Sequence, residues 1–209
     1  MKLTLSAILR FFAEAALFLG LLAGATPGSA TVLTATDSSW KITPIASDAS
    51  SGWNSNTAFN DAGWQSATVL AISPYLNANF IWSSDGQFSI TETQVWARAI
   101  FNLSTLPLSA FLDSAFDDDG DIYINGNLVV SDHNGSANAN PSVSIASYLT
   151  LGDNLIAFTA TDNYLTYGYN HAAAAQIDAT FAQVPEPATL ALLGLGLAGL
   201  GYSRRKQKS

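Results

Sequence analysis

Short β-rich segments separated by turn residues make up the stretch from residue 31 to residue 183, and none keeps a long 3.6-residue period. This pattern predicts strands rather than helices. In Gln94–Leu103 the apolar positions 95, 97, 99, 101 and 103 share one face. Many short strands with Gly, Asn and Asp turns favour an all-β fold, a β-sandwich or jelly roll. The predicted strands are Trp40–Ile45, Ala67–Ile72, Gln94–Leu103, Ala110–Phe116, Asp121–Ile124, Leu128–Ser131, Val143–Ile145, Leu155–Thr161 and Ala174–Ala182.

One turn is specified by its residues. Asn125-Gly126 stands between the β-rich triplets Ile122–Ile124 and Leu128–Val130. A two-residue Asn-Gly loop between such segments predicts a hairpin with a type I′ turn, which needs a positive φ at both positions. Ser147–Leu151 is expected to form a single helical turn.

The charge of the chain is unevenly distributed. The 209 residues include 16 acidic and 8 basic side chains, but residues 31–183 hold 14 of the acids and only Lys41 and Arg98 as bases, a net charge of −12. This balance argues against nucleic-acid binding, because phosphates select basic surfaces. The absence of cysteine excludes disulfides and zinc–cysteine sites. A stretch of this length buries enough surface for one core.

The first 30 residues have the order of a secretory signal. Lys2 and Arg10 precede an apolar run, Ala15–Ala25, and small residues follow up to Ala30. Charge, apolar run and small residues in this order predict a signal helix that signal peptidase removes, with cleavage after Ala30 or after Ala25. The alternative is an amphipathic N-terminal helix of the mature protein.

The last 26 residues predict a membrane segment. Residues 188–202 are uncharged and rich in Leu, Ala and Gly, and residues 203–209 form a basic tail. As a helix, the apolar segment spans about 22 Å, short of the roughly 30 Å hydrocarbon core. The positive-inside rule keeps the tail cytoplasmic and places the β domain on the far side of the inner membrane. The alternative is a plain stop-transfer anchor.

This tail resembles the PEP-CTERM sorting signal of Gram-negative bacteria: Val-Pro-Glu-Pro, a short apolar helix and an Arg-Arg-Lys cluster. The resemblance implies recognition by an exosortase, cleavage near Pro185–Pro187 and transfer to the cell surface or extracellular matrix. Proteins of this kind usually accompany exopolysaccharide production, as in biofilms. The residues assigned to sorting and cleavage are Pro185, Glu186, Pro187, Arg204, Arg205 and Lys206.

The central part carries a second resemblance. Four blocks look like the conserved stretches of galactose-binding-like jelly rolls, and they stand in the same order. The resemblance implies a non-catalytic domain of the type that accompanies glycosidases and binds sugars. The blocks are Phe59–Ala67, Gln94–Phe101, Asp117–Gly126 and Leu149–Ala157.

Asp117, Asp119 and Asp121 are candidate ligands for Ca²⁺. They have the 1-3-5 spacing of a calcium loop, and Ca²⁺ prefers six to eight oxygen ligands. Ile122 stands where such a loop needs glycine, so an EF-hand is excluded. The alternative is a solvated hairpin turn that Gly120 closes. No other cofactor is expected.

Candidate sugar contacts are aromatic, because ring faces stack on the C–H groups of sugars. Trp82 precedes Ser83-Ser84-Asp85-Gly86 and is expected at a loop tip, whereas the other four tryptophans are expected in the core. For the tyrosines, the alternative is packing at a strand edge. The candidate residues are Trp82, Tyr164, Tyr167, Tyr169 and His171.

No recognisable catalytic constellation is present. There are two histidines, no cysteine, no Gly-x-Ser-x-Gly elbow and no His-Glu-x-x-His motif. We therefore expect an exported, non-catalytic module that binds exopolysaccharide. The alternatives are a structural or adhesive surface protein without sugar binding, and a glycan-active enzyme.

Overall fold

The computed structural model describes residues 30–83, 93–163 and 171–182, which belong to one compact unit, Ser29–Phe181, apart from the last residue. The described part is a β-sandwich of two antiparallel sheets, as predicted. Two short 3₁₀ helices cover Ala46–Asp48 and Ala146–Tyr148. The strands are β1 (Ala30–Ala35), β2 (Lys41–Thr43), β3 (Gln65–Ser66), β4 (Thr68–Ile72), β5 (Asn79–Trp82), β6 (Gln94–Leu103), β7 (Ser109–Asp117), β8 (Asp119–Ile124), β9 (Asn127–Asp132), β10 (Asn138–Ala139), β11 (Val143–Ser144), β12 (Gly152–Thr161) and β13 (Ala172–Thr180).

Each sheet is built around one long strand pair. The first sheet has the order β10-β7-β13-β5-β4, with β1 also paired to β13 and β11 to β7. Its central pair, β7 with β13, runs from Ser109↔Thr180 to Asp117↔Ala172. The second sheet has the order β3-β2-β6-β12-β8-β9. Its central pair, β6 with β12, extends over ten residue pairs.

The core lies between the two sheets. β6 alternates as predicted, with its odd-numbered residues buried or half-buried toward the core. Trp40 packs on Phe158 at 5.4 Å between ring centroids, and Phe116 meets Phe158 edge-to-face at 6.0 Å. Burial of such rings is a main source of the stability of a β-sandwich.

All nine predicted strands are present, and four strands were missed: β1, β5, β10 and the two-residue β3. β1 has no buried residue, so it lacks the alternating pattern by which a half-buried strand is recognised. β5 is four residues long and β10 only two. Ala30, which the sequence analysis assigned to the signal peptide, is the first residue of β1 and pairs with Thr180. Cleavage after Ala25 would leave this strand complete.

The predicted Asn-Gly hairpin is confirmed. Asn125 and Gly126 join β8 to β9 with φ values of 49° and 84°, as a type I′ turn requires. The Asn125 side-chain amide donates to the Tyr148 carbonyl at 2.9 Å. Its oxygen accepts from the Leu155 backbone amide at 2.8 Å. The turn is therefore also tied to β12 and to the connection before it.

In the described part of the chain, no helix is long and apolar enough to cross a membrane. The predicted signal helix and the predicted transmembrane segment 188–202 both lie outside the described residues.

Candidate functional site

The densest group of acidic side chains lies where the chain crosses from the first sheet to the second. β7 ends at Asp117 and β8 begins at Asp119, with Asp118 between them. Asp117 pairs with Ala172 in the first sheet, whereas Asp119 pairs with Thr161 in the second. We call this end of the sandwich the acidic end: Asp117, Asp118, Asp119, Asp121, Asp132, His133, Asp162 and His171.

Asp119 and Asp121 are engaged by residues of the connection that follows β9, and Asp119 also by Asn163, which follows β12. Asp119 Oδ1 accepts from the Gly135 backbone amide at 2.9 Å, and its Oδ2 accepts from the Asn163 side-chain amide at 2.7 Å. Asp121 Oδ1 lies 3.1 Å from His133 Nε2. These contacts order the connection and leave fewer lone pairs for an external ligand.

His171 forms a buried pair with Asp162. His171 Nδ1 lies 2.6 Å from Asp162 Oδ2, and the two residues are 2% and 1% exposed. Trp82 stacks on the imidazole ring, with centroids 5.2 Å apart and planes at 28°, and is itself 0% exposed. Buried polar groups of this kind persist because they are hydrogen-bonded. The arrangement holds the ends of β12, β13 and β5 together.

Two further aspartates are nearly fully buried at this end. Asp118 Oδ2 accepts from the Asn163 backbone amide at 2.9 Å. Asp132 Oδ1 accepts from the Asn134 side-chain amide, while its Oδ2 has no hydrogen-bond partner in the described residues.

Asp117 has the clearest electrostatic perturbation at the acidic end. Burial and, to a smaller extent, the carboxylates of Asp162 and Asp118 raise the pKa of Asp117 from 3.8 to about 6, an effect that His171 partly offsets. A carboxyl group in this state is partly protonated in mildly acidic solution. The acidic end therefore changes its charge between pH 5 and 7.

The structure does not bring Asp117, Asp119 and Asp121 together around one point. Among the described residues, no group of three or more carboxylates or imidazoles has the geometry to hold a metal ion. The sheet crossing at Asp118 explains this, because it places Asp117 on a different sheet from the other two. Calcium binding itself stays a prediction.

The predicted turn at Gly120 is wrong. Gly120 lies inside β8 and pairs with Asp132. A Cβ atom at this position would come 2.5 Å from Cε1 of Phe116. The glycine is needed for close packing of the Phe116 ring, not for a bend.

The predicted sugar-contacting residues are also placed differently. The prediction that Trp82 lies at a loop tip is wrong, because it ends β5 and is fully buried. His171 is buried as well and faces Asp162. The predicted contacts Tyr164, Tyr167 and Tyr169 lie outside the described residues, as do all six sorting residues. Asp132 and Asp162 carry no sequence signal of a site, because a lone aspartate at a strand end also suits an exposed turn.

The first two blocks of the jelly-roll resemblance meet on the outer face of the second sheet. The Arg98 guanidinium lies 5.1 Å from the Phe59 ring centroid and 3.4 Å from Asp61 Oδ2. Its Nη2 donates to the Asn56 carbonyl at 3.0 Å. Burial lowers the pKa of Arg98, and Asp61 raises it in part. These residues fasten the connection between β2 and β3 to the sheet, which is a structural role.

Residues 183–206 match the PEP-CTERM protein-sorting motif, which confirms that resemblance. The motif implies a secreted protein that an exosortase processes. The signal peptide at residues 1–30 stays a prediction. No curated protein matches the chain.

Three solved structures are similar to this chain. The β-glucuronidase of Bacteroides uniformis is 17% identical with a TM-score of 0.50, over 72% of this chain and 18% of its own. A glycosyl hydrolase family 2 member from Bacteroides cellulosilyticus and the exo-chitosanase of Amycolatopsis orientalis are each 16% identical with a TM-score of 0.47. Both matches cover 71% of this chain and 20% of the other. This chain thus spans about one fifth of the length of these proteins, and the likeness concerns the fold alone.

Proposed function

We propose that this protein is an exported, exosortase-sorted surface protein whose β-sandwich binds exopolysaccharide without chemically changing it. The observation that carries the proposal is the conjunction of a sorting motif at residues 183–206 with a β-sandwich of the type that forms part of a β-glucuronidase chain. Export delivers the sandwich to a place where polysaccharide is the abundant polymer.

The contacts at the acidic end argue against catalysis by these residues. A general acid or base must reach the substrate at hydrogen-bond distance. The Asp162–His171 pair is inaccessible beneath Trp82, and Asp119 and Asp121 are already hydrogen-bonded. These groups stabilise the sandwich, so they are poorly placed to act on a glycosidic bond.

The experiment is a glycan array probed with the full-length chain in mild detergent, paired with a reducing-sugar assay on each polysaccharide that binds. We expect retention on at least one polysaccharide and no release of reducing ends. Retention on none, with the protein folded by circular dichroism, would favour the structural or adhesive alternative. Release of reducing ends that a heat-inactivated sample does not produce would favour a glycan-active enzyme.

Sorting is tested separately by mass spectrometry of the native protein. In cells that contain an exosortase, we expect the mature chain to end near Pro185–Pro187, and the sequence 188–209 to be absent from the surface fraction. A strain without the exosortase should keep the full tail in the membrane fraction. An intact tail on the surface protein would contradict processing.

A further inference from the structure

A cleft of about 250 Å³ lies where one strand of the first sheet replaces another. β7 pairs with β13 along its whole length, so β1 and β5 must share the opposite edge of β13. The pairing of β1 with this edge ends at Ala35↔Gln176, and β5 pairs with the same edge at Ala173↔Ile81. The cleft opens at the interval between the two strands.

Thr36 forms a rigid floor for this cleft. Its backbone amide donates to the Ala175 carbonyl at 2.9 Å, and its side-chain Oγ1 accepts from the Ala175 amide at 3.3 Å. The same hydroxyl donates to the Asn79 carbonyl. One buried side chain thus replaces the missing ladder hydrogen bonds, and the two strand ends are held in place.

Three polar side chains at the rim have hydrogen-bonding capacity left over. Asp37 Oδ1 accepts from Ser39, whereas its Oδ2 accepts nothing in the described part of the chain. The side-chain amides of Asn77 and Asn79 form no hydrogen bond with any described residue. Asn125 differs from these residues, because both polar atoms of its side chain form hydrogen bonds within the fold.

An apolar wall completes the cleft. Ile72, on the edge strand β4, lines it and is 72% exposed. Tyr75 stands on the same β4–β5 connection, packed edge-to-face on Phe80 with its hydroxyl donating to the Ala137 carbonyl at 3.2 Å. These contacts fix the connection, so the cleft is formed before a ligand arrives.

We propose that this cleft binds one sugar residue of a neutral polysaccharide, an inference that rests on the proposed function. The carboxylate of Asp37 accepts from a sugar hydroxyl, the amides of Asn77 and Asn79 donate to and accept from neighbouring hydroxyls, and Ile72 covers the C–H face of the ring. The volume is below the usual range for drug-sized ligands, and it fits a single ring. The net charge of −12 in residues 31–183 disfavours anionic polymers.

The test is affinity gel electrophoresis of the full-length chain in gels that contain dextran, galactomannan, β-glucan or alginate. The test variant combines Asp37→Asn with Asn77→Ala. Asn keeps an Oδ1 acceptor for Ser39, and Asn77 is exposed, so the fold should be unchanged. The matched control is Asn54→Ala, on the β2–β3 connection that covers the other sheet. Melting temperatures of all three proteins verify folding.

We expect the wild type and the control to be retarded by at least one neutral polysaccharide, and the double variant to bind at least tenfold more weakly. Equal retardation of all three proteins would overturn the assignment of the cleft as the sugar-binding site and would leave the proposed function intact. Retardation by alginate alone would overturn the ligand class. Retardation by none of the gels, together with an empty glycan array, would overturn both proposals.

Discussion

Gly120 provides the sharpest test of the packing described above. We predict that Gly120→Ala destabilises the sandwich, because the added methyl group would meet three atoms of the Phe116 ring at 2.5–2.6 Å. The ring cannot swing away at low cost. Phe116 is 1% exposed and packs edge-to-face on Phe158. The strand or the ring must therefore shift within the core.

The expected cost follows from the nature of the clash. Extra methyl groups forced into a well-packed core cost about 1–3 kcal/mol. Contact with a whole ring, rather than with the end of a flexible chain, places Gly120→Ala near the middle of that range, about 2 kcal/mol. For a domain of this size, such a loss lowers the melting temperature by roughly 4–8 °C.

The assay is chemical denaturation followed by tryptophan fluorescence, with two comparison variants. Gly63→Ala adds the same methyl group where nothing lies within 4 Å, so it should change the free energy of unfolding by less than about 0.5 kcal/mol. Phe116→Leu combined with Gly120→Ala should cost less than the sum of the two single changes, because the smaller side chain makes room. If Gly120→Ala is no more destabilising than Gly63→Ala, the packing argument is refuted.

Three further predictions follow from other observations. The pKa of Asp117 is about 6 in the folded protein and 3.8 in the unfolded chain, so the folded protein binds this proton more tightly. The group therefore stabilises the fold fully below pH 3.8, and this contribution is lost as the pH rises through 6. Asp117→Asn should therefore flatten the stability profile between pH 4 and 6.5 and add about 1 kcal/mol at pH 7 after allowance for solvent screening. Urea denaturation across this pH range measures the slope, and a slope equal to that of the wild type would contradict the prediction. Gly126→Ala, which meets Ser55 at 2.6 Å in a positive-φ turn, should cost more in urea denaturation than Gly135→Ala, which has a positive φ and nothing within 4 Å. Melting temperatures in millimolar Ca²⁺ and in EDTA test the calcium prediction: a higher value in Ca²⁺ would support it, and equal values, which the separation of the three aspartates favours, would remove it.

The fold was more predictable than the candidate site, and particular residues show why. Alternation in Gln94–Leu103 and the Asn125-Gly126 turn depend on local rules that hold wherever the strand packs. The burial of Trp82 does not follow from such local rules. This side chain stacks on His171, which is distant in sequence. The role of Gly120 is set by Phe116, which is close in sequence but lies on the other sheet. Contacts between the two sheets leave no periodic signal in the sequence.

Residues whose side chains hold the fold together can be separated by experiment from residues that line the cleft. Arg98 is committed to Phe59 and Asp61, and Asn125 to Tyr148 and Leu155. Substitutions at such block residues should lower stability and leave the affinity per folded molecule unchanged. Substitutions at the cleft should do the reverse, because the side chains of Asn77 and Asn79 form no hydrogen bond with a described residue and Asp37→Asn keeps the acceptor for Ser39. Measuring affinity and stability for both groups of variants therefore tests two statements together. The first is that the four blocks determine the fold, and the second is that the ligand-binding residues lie outside all four blocks.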